Sequence, residues 1–206
     1  MSEIMNMDGS GWDESMFDDI TGDKPEIIKR VTFLIDRSGS MDGTTIGTIN
    51  TVMEELLSEL DRNDIRIAVA ELDEQVEWKT DAPITISQFG AWERTRSGSF
   101  SSLGRAFSQL ASRLNSAAWQ EQGAKGSRDY FVLFSDGLAS DMYQKGLKEL
   151  TAVPAFRSGR RIVISFSNLE NLELLRTFAG SEKHVIHASG SGAVDFVEQA
   201  ILKMLE

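Results

Sequence analysis

The 206-residue chain contains no cysteine, which removes disulfides, thiolate zinc sites and cysteine nucleophiles together. Histidine is nearly absent, with only His184 and His187. No window approaches the roughly 18 apolar residues of a transmembrane helix. The N-terminus also lacks a basic stretch followed by an apolar one. A cytoplasmic protein away from membranes is therefore the expectation. Positive charge is in short supply: 21 Lys and Arg face 32 Asp and Glu, for a net charge of −11. That balance argues against a nucleic-acid surface, which needs clustered Lys and Arg.

The negative charge is unevenly placed. Residues 1–23 hold seven acids and no Lys or Arg, so the rest of the chain carries only about −4. Residues 1–24 show no sustained helical or strand period and read as an acidic flexible arm. They interleave Trp12, Met16, Phe17 and Ile20 with carboxylates, a pattern that suits either a solubilising tail or a docking segment. From residue 25 to 206 the composition is that of one globular domain, with no internal repeat.

Short, near-continuous apolar runs mark Val31–Ile35, Ile65–Leu72, Tyr130–Phe134 and Ile162–Phe166, with a weaker one at His184–Ala188. Such runs suit strands buried on both faces, as in a parallel sheet. Helical patterns lie between them. Ile46, Ile49, Met53, Leu56 and Leu60 share one face, as do Leu103, Phe107, Leu110 and Leu114. The alternation predicts an α/β fold: a doubly wound, mostly parallel sheet with helices on both faces. The segment from Glu71 to Gln88 breaks the rhythm with two possible short strands, the first, Gln75–Lys79, fitting an antiparallel edge. The connection Ala118–Ser127, rich in Gln, Gly and Ala, reads as a mobile excursion.

Ligands in open α/β sheets sit at the carboxyl ends of the strands. Three oxygen-rich loops fall at such ends or just before a helix: Asp36–Ser40 (DRSGS), Ser97–Gly104 (SGSFSSLG) and Phe134–Asp141 (FSDGLASD). Hydroxyls and carboxylates without imidazole or thiolate select a hard cation. Magnesium fits best, because it keeps waters and an incoming ligand in near-octahedral oxygen coordination. Manganese shares these ligand preferences, and calcium ordinarily takes more carboxylates. By itself the D-x-S-x-S triplet is also the chemistry of turns and helix caps.

With "FLIDRSGSM", "SGSFSSLGRAF" and "YFVLFSDG" in place, the sequence resembles von Willebrand factor A domains and their three-part metal-ion-dependent adhesion site. "VLFSDGLASDMYQKGLKEL", "IVISFSNLENLELLRTFAG" and "GAVDFVEQAI" are similar to the bacterial TerY-like proteins of the tellurite-resistance group. The resemblance implies metal ligands at Asp36, Ser38 and Ser40 from the first loop and Asp136 from the third. Ser101 is the counterpart of the second-loop threonine, with Ser99 and Ser102 as neighbours of the same chemistry. Ser135 stands where relatives often carry threonine. The family pattern has the serines bind directly and the aspartates partly through water. It further implies a Mg2+-dependent protein-interaction module, not an enzyme, whose open metal position takes a carboxylate from a protein partner. The bacterial subgroup implies a role in stress response or defence.

Other chemistries fare worse. Asp36 as a phosphotransferase nucleophile lacks a second aspartate two residues on, where Ser38 stands. No G-x-S-x-G elbow supports serine hydrolysis. The two histidines, three apart, have no third ligand in view. An adaptor for an ATPase complex is the other interaction reading. Trp78, Trp92 and Trp119 are cover residues or part of a partner surface. Arg94, Arg96 and Arg105 form a solvated rim or attract an acidic partner.

Overall fold

A computed structural model describes residues 27–121, 126–167 and 171–206. The expected arm, residues 1–24, and the middle of the Gln/Gly/Ala-rich connection lie outside the described residues.

The central strand β1 (Lys29–Asp36) is buried from Arg30 onward. It runs parallel to β2 (Ile65–Leu72) on one side and β4 (Arg128–Phe134) on the other. With β3 (Val76–Trp78), β5 (Arg160–Ser165) and β6 (Val185–His187) the sheet order is β3-β2-β1-β4-β5-β6. Only β3 is antiparallel, paired to β2 with Ala70 opposite Trp78. The expected edge hairpin is therefore present. The second short strand of that segment is instead a single bridge, Ile67 to Ile84. Pro83 precedes it, without an N–H to donate to a ladder. The chain then enters a one-turn helix, α2 (Ile86–Phe89), closed by a capping box between Thr85 and Gln88.

Both faces of the sheet are covered, which is why the strands are apolar throughout. Val31, Phe33 and Ile35 point to one layer, made by α1 (Thr44–Glu59) and α8 (Ala193–Leu205) through residues such as Ile49, Met53, Val197 and Ile201. Leu34 and Leu133 point to the other layer, with Phe107, Leu147 and Phe178 from α3 (Leu103–Leu114), α5 (Tyr143–Ala152) and α7 (Leu172–Ala179). The remaining short helices are α4 (Ala117–Glu121) and α6 (Pro154–Ser158).

Part of the expected excursion is thus ordered as α4. Trp119 explains it: the ring is 1% exposed and meets Trp78 edge-on at 6.0 Å. Its carbonyl accepts from Arg30 at 3.0 Å.

The α3–α5 contact depends on two glycines. A Cβ on Gly146 would collide with the Gly104 carbonyl oxygen, and one on Gly104 would stand 2.7 Å from the Cα of Tyr143. The helices touch backbone to backbone there. Gly146→Ala should cost about 2 kcal/mol, read as a lowered urea midpoint. An unchanged midpoint would mean that the two helices part freely.

Candidate metal centre

All parallel strands end on the same side of the sheet, and the three oxygen-rich loops gather there. Asp36, the last residue of β1, is fully buried. Its Oδ1 accepts the Ser38 N–H at 3.0 Å, which bends the loop into a short 3-10 turn at Gly39–Met41. Ser38 Oγ lies 3.1 Å from Ser40 Oγ. The other carboxylate oxygen, Oδ2, accepts hydroxyls from both remaining loops: Ser101 at 2.8 Å and Ser135 at 2.7 Å. One carboxylate therefore ties the three loops together.

Asp136 is also fully buried. Its Oδ1 accepts the Leu138 N–H at 2.9 Å, and its carbonyl accepts the Asn171 N–H at 3.1 Å. Its Oδ2 is buried with no hydrogen-bond partner among the described residues. Asp36, Ser38, Ser40 and Ser101 thus share one hydrogen-bonded chain, and Asp136 joins through its neighbour Ser135 and not by a direct bond. The three second-loop serines separate cleanly. Ser101 meets Asp36; Ser99 is exposed, and Ser102 is buried with its Oγ unpartnered.

The second loop is held by residues that the sequence reading passed over. Asn50 accepts from Thr95 N–H at 2.8 Å and Trp92 Nε1 at 2.9 Å, and donates to the Thr95 carbonyl at 2.9 Å. Its signal was legible as an amide on the apolar face of α1, one residue after Ile49. Asp73 accepts the Ser99 and Phe100 N–H groups at 3.0 and 3.1 Å. A Cβ on Gly98 would collide with that carboxylate, so the close approach requires glycine. Asp141 accepts the Gly104 and Arg105 N–H groups, both at 2.9 Å, and so caps α3 from the third loop. Ser140 and Ser101 exchange two further bonds, at 3.0 and 2.8 Å. Asn50→Leu should lower stability by about 2 kcal/mol and speed amide exchange at Thr95. Unaltered exchange would show that the loop is fixed elsewhere.

The basic rim is largely engaged within the chain. Arg94 pairs with Glu54 at 2.8 Å, and Arg105 donates to the Glu74 carbonyl and Gln75. Arg37, beside Asp36 in sequence, reaches Glu71 at 3.6 Å and Asp73 at 3.4 Å. Consequently no Lys, Arg or His forms an ion pair with Asp36 or Asp136 among the described residues. Burial pushes the Asp36 carboxyl above its ordinary value, against the opposing hydrogen bonds from Ser135, Ser38 and Ser101.

Two buried carboxylates without a cation are costly, and the orphaned Asp136 oxygen adds to that cost. The surrounding donors are all oxygens, a set that fits a small hard cation. Among the described residues no three His, Cys, Asp or Glu side chains cluster as a metal site. The centre is instead two carboxylates supplemented by hydroxyls. His184, in the turn before β6, and His187 are both exposed at the far edge of the sheet.

A mostly parallel, doubly wound sheet with an oxygen cluster at the ends of β1 and β4 defines the class: an α/β domain with its ligand face on the strand-end loops. The von Willebrand factor type A domain model matches residues 31–199, and the chain belongs to that family. Solved structures agree on the fold. Proximal thread matrix protein 1 from the mussel byssus is 13% identical with a TM-score of 0.67, over 87% of this chain and 48% of that one. A manganese-loaded TRAP protein of Plasmodium vivax is 18% identical with a TM-score of 0.62, over 85% and 74%. A von Willebrand factor type A protein from Catenulispora acidiphila is 14% identical with a TM-score of 0.62, over 86% and 42%. The mussel protein has also been solved with a zinc-occupied adhesion-site motif. The chain spans about half the length of the mussel protein it matches. No curated protein matches it. Among the described residues no helix is long and apolar enough to cross a membrane.

Proposed function

We propose that this protein is a Mg2+-dependent protein-interaction module in which Asp36, Ser38, Ser40, Ser101 and Asp136 hold the cation. The observation that carries the reading is the pair of fully buried carboxylates, Asp36 and Asp136, with no ion-pair partner and one oxygen left unpartnered among the described residues. The bound cation supplies a point of positive charge at the surface of an acidic protein. Asp36 holds Ser38 and Ser101 by hydrogen bonds, and Ser135 donates to the same Asp36 oxygen as Ser101 and so helps to orient the carboxylate. A protein partner contributes a carboxylate to the open position.

The surrounding surface supports an interaction role. Of the six exposed large hydrophobics among the described residues, Phe100 and Leu138 lie on the second and third loops, Met142 directly follows the third, and Leu172 follows the Asn171 that contacts Asp136. Apolar residues gathered around a polar centre are the composition of a docking face. A small cavity of about 160 Å³ beside Ser101 is lined by Phe100, Ser102, Arg105 and Asp141 and can receive a partner side chain. Among the described residues no lysine pairs with either aspartate as a phosphate-binding lysine would, which favours an interaction role over phosphoryl transfer. The resemblance of Val132–Leu150 to TerY-like proteins is what supports extending the proposal to a bacterial stress-response or defence assembly in the cytoplasm.

The test is affinity capture from native extract with and without a chelator, repeated with Asp136→Asn. Capture of the same partner should fall at least tenfold on chelation and in the variant. Capture that ignores both treatments would overturn the metal-bridged reading.

A further inference from the structure

At the other end of the sheet, β6 is too short to cover its neighbour. Pairing between β5 and β6 begins at Val163 opposite Val185. Among the described residues Arg160, Arg161 and Ile162 therefore have β4 on one side and no strand on the other. The gap is a cavity of about 630 Å³ between the ends of α7 and α8. Its size is that of a ligand cleft. Ile162, Ile186 and Met204 give it an apolar floor, and Arg160, Arg161, Lys183 and Lys203 line it with His184. No acidic residue lines it.

Helix-end capping accounts for one of these cations only. Arg160 donates to the Met204 carbonyl at 2.6 Å, at the end of α8. The Arg161 guanidinium lies 5.0 Å over the Phe156 ring and fills the space that a side chain at Gly180 would need. It has no carboxylate partner among the described residues, and neither Lys183 nor Lys203 enters an ion pair there. The neighbouring Glu182 is engaged by Arg176 at 2.9 Å. A half-buried, uncompensated guanidinium beside two free ammonium groups and an uncovered strand edge is a receptor for an anionic, partly apolar segment.

The chain contains such a segment. Trp12–Ile20, WDESMFDDI, alternates Asp13, Glu14, Asp18 and Asp19 with Trp12, Met16, Phe17 and Ile20. It lies outside the described residues, but its point of attachment does not. The chain enters the sheet at Lys29, and Val31 sits level with Tyr130, which sits level with Arg160. The cavity, on the far side of β5, is thus about three strand spacings, roughly 15 Å, from the root of the arm. Asp36 lies seven residues further along β1, about 23 Å away. The six residues between Ile20 and Ile27 give seven Cα steps, which span up to about 25 Å when extended, ample for the nearer destination.

We propose that Trp12–Ile20 of this same chain docks in the basic cavity beside Arg160–Ile162, its carboxylates meeting the cations and its apolar side chains meeting Ile162, Ile186 and Met204. The docking does not depend on cation binding at the opposite end of the sheet.

The absence of cysteine makes the test direct, because Ser15→Cys carries a single nitroxide on the full chain. Amide signals of residues 160–162, 179–184 and 200–204 should lose at least fivefold in intensity relative to the reduced label, with residues 36–41 and 135–142 unaffected. Neutralising the arm (Asp13→Asn, Glu14→Gln, Asp18→Asn, Asp19→Asn) leaves the domain untouched and should restore most of that intensity. So should about 0.5 M salt, which shortens the screening length to a few ångströms. Broadening centred on residues 36–41, broadening spread evenly over the surface, or broadening that survives arm neutralisation would each overturn the proposal.

Discussion

On the proposed function Mg2+ should raise the Tm of the protein, and Asp36→Ala should abolish that rise. At a hundred times its dissociation constant a ligand stabilises the folded state by about 2.7 kcal/mol. For a domain of this size that is a rise of roughly 5–10 °C in Tm. The variant should show none, because alanine removes the acceptor shared by Ser38, Ser101 and Ser135 and leaves the three loops without their common tie. The comparison without cation separates binding from folding. There Asp36 is a buried charge with a raised pKa, so its removal exchanges three hydrogen bonds for relief from an uncompensated carboxylate. The unliganded variant should therefore lie much closer to wild type than the liganded one. Asp136→Asn is a sharper probe. The amide oxygen can still accept from Leu138, the negative charge is lost, and Mg2+ affinity should fall about 100-fold in a calorimetric titration. A full Mg2+-dependent shift retained in Asp36→Ala would remove this carboxylate from the site.

The sheet was readable because burial on both faces writes itself as unbroken apolar runs, and a one-strand hairpin edge follows from a short run beside a turn. The first loop was readable for the same reason: a carboxylate at the end of Val31–Ile35 has no apolar explanation. In the second loop the family resemblance singles out Ser101, which the structure brings to Asp36, whereas composition alone does not, since Ser99, Ser101 and Ser102 are chemically alike. Their difference lies in which side chain turns inward, and that is set by Asp73 and Asn50, distant in sequence. The short helices at Ile86 and Ala117 were likewise hidden, because one turn of helix carries no measurable period. The glycine crossing of α3 and α5 was invisible as well. Gly104 and Gly146 read singly as weak helix formers, and only their juxtaposition gives them a purpose. The basic cavity required β6 to be three residues long, a boundary that apolarity between His184 and Ala188 does not mark.

Arg30→Ala should cost 3–5 kcal/mol, about the penalty for stranding one member of a buried ion pair. Arg30 meets Asp129 through two bonds, Nε to Oδ1 at 2.9 Å and one terminal nitrogen to Oδ2 at 2.8 Å, with the other on the Trp119 carbonyl. Both side chains are less than a tenth exposed. The pair lies in register, Arg30 opposite Asp129 across β1 and β4, so an arginine and an aspartate each second in its strand already foreshadow it. Burial raises the Asp129 carboxyl above its ordinary value even with the arginine's hydrogen bonds and charge opposing. Without Arg30 that rise grows. A carboxyl whose folded pKa exceeds its unfolded one loses stability as pH rises from the unfolded value through the folded one. The deficit of Arg30→Ala should accordingly be largest at neutral pH and shrink as the pH is lowered toward the ordinary carboxylate range. The double variant Arg30→Met with Asp129→Leu removes both charges and should recover most of the loss. Urea unfolding of the three proteins at pH 7 and pH 5 decides it. A double variant as unstable as Arg30→Ala, or a deficit that does not change with pH, would mean that the anchor of Trp119 and α4 matters more than the charge it carries.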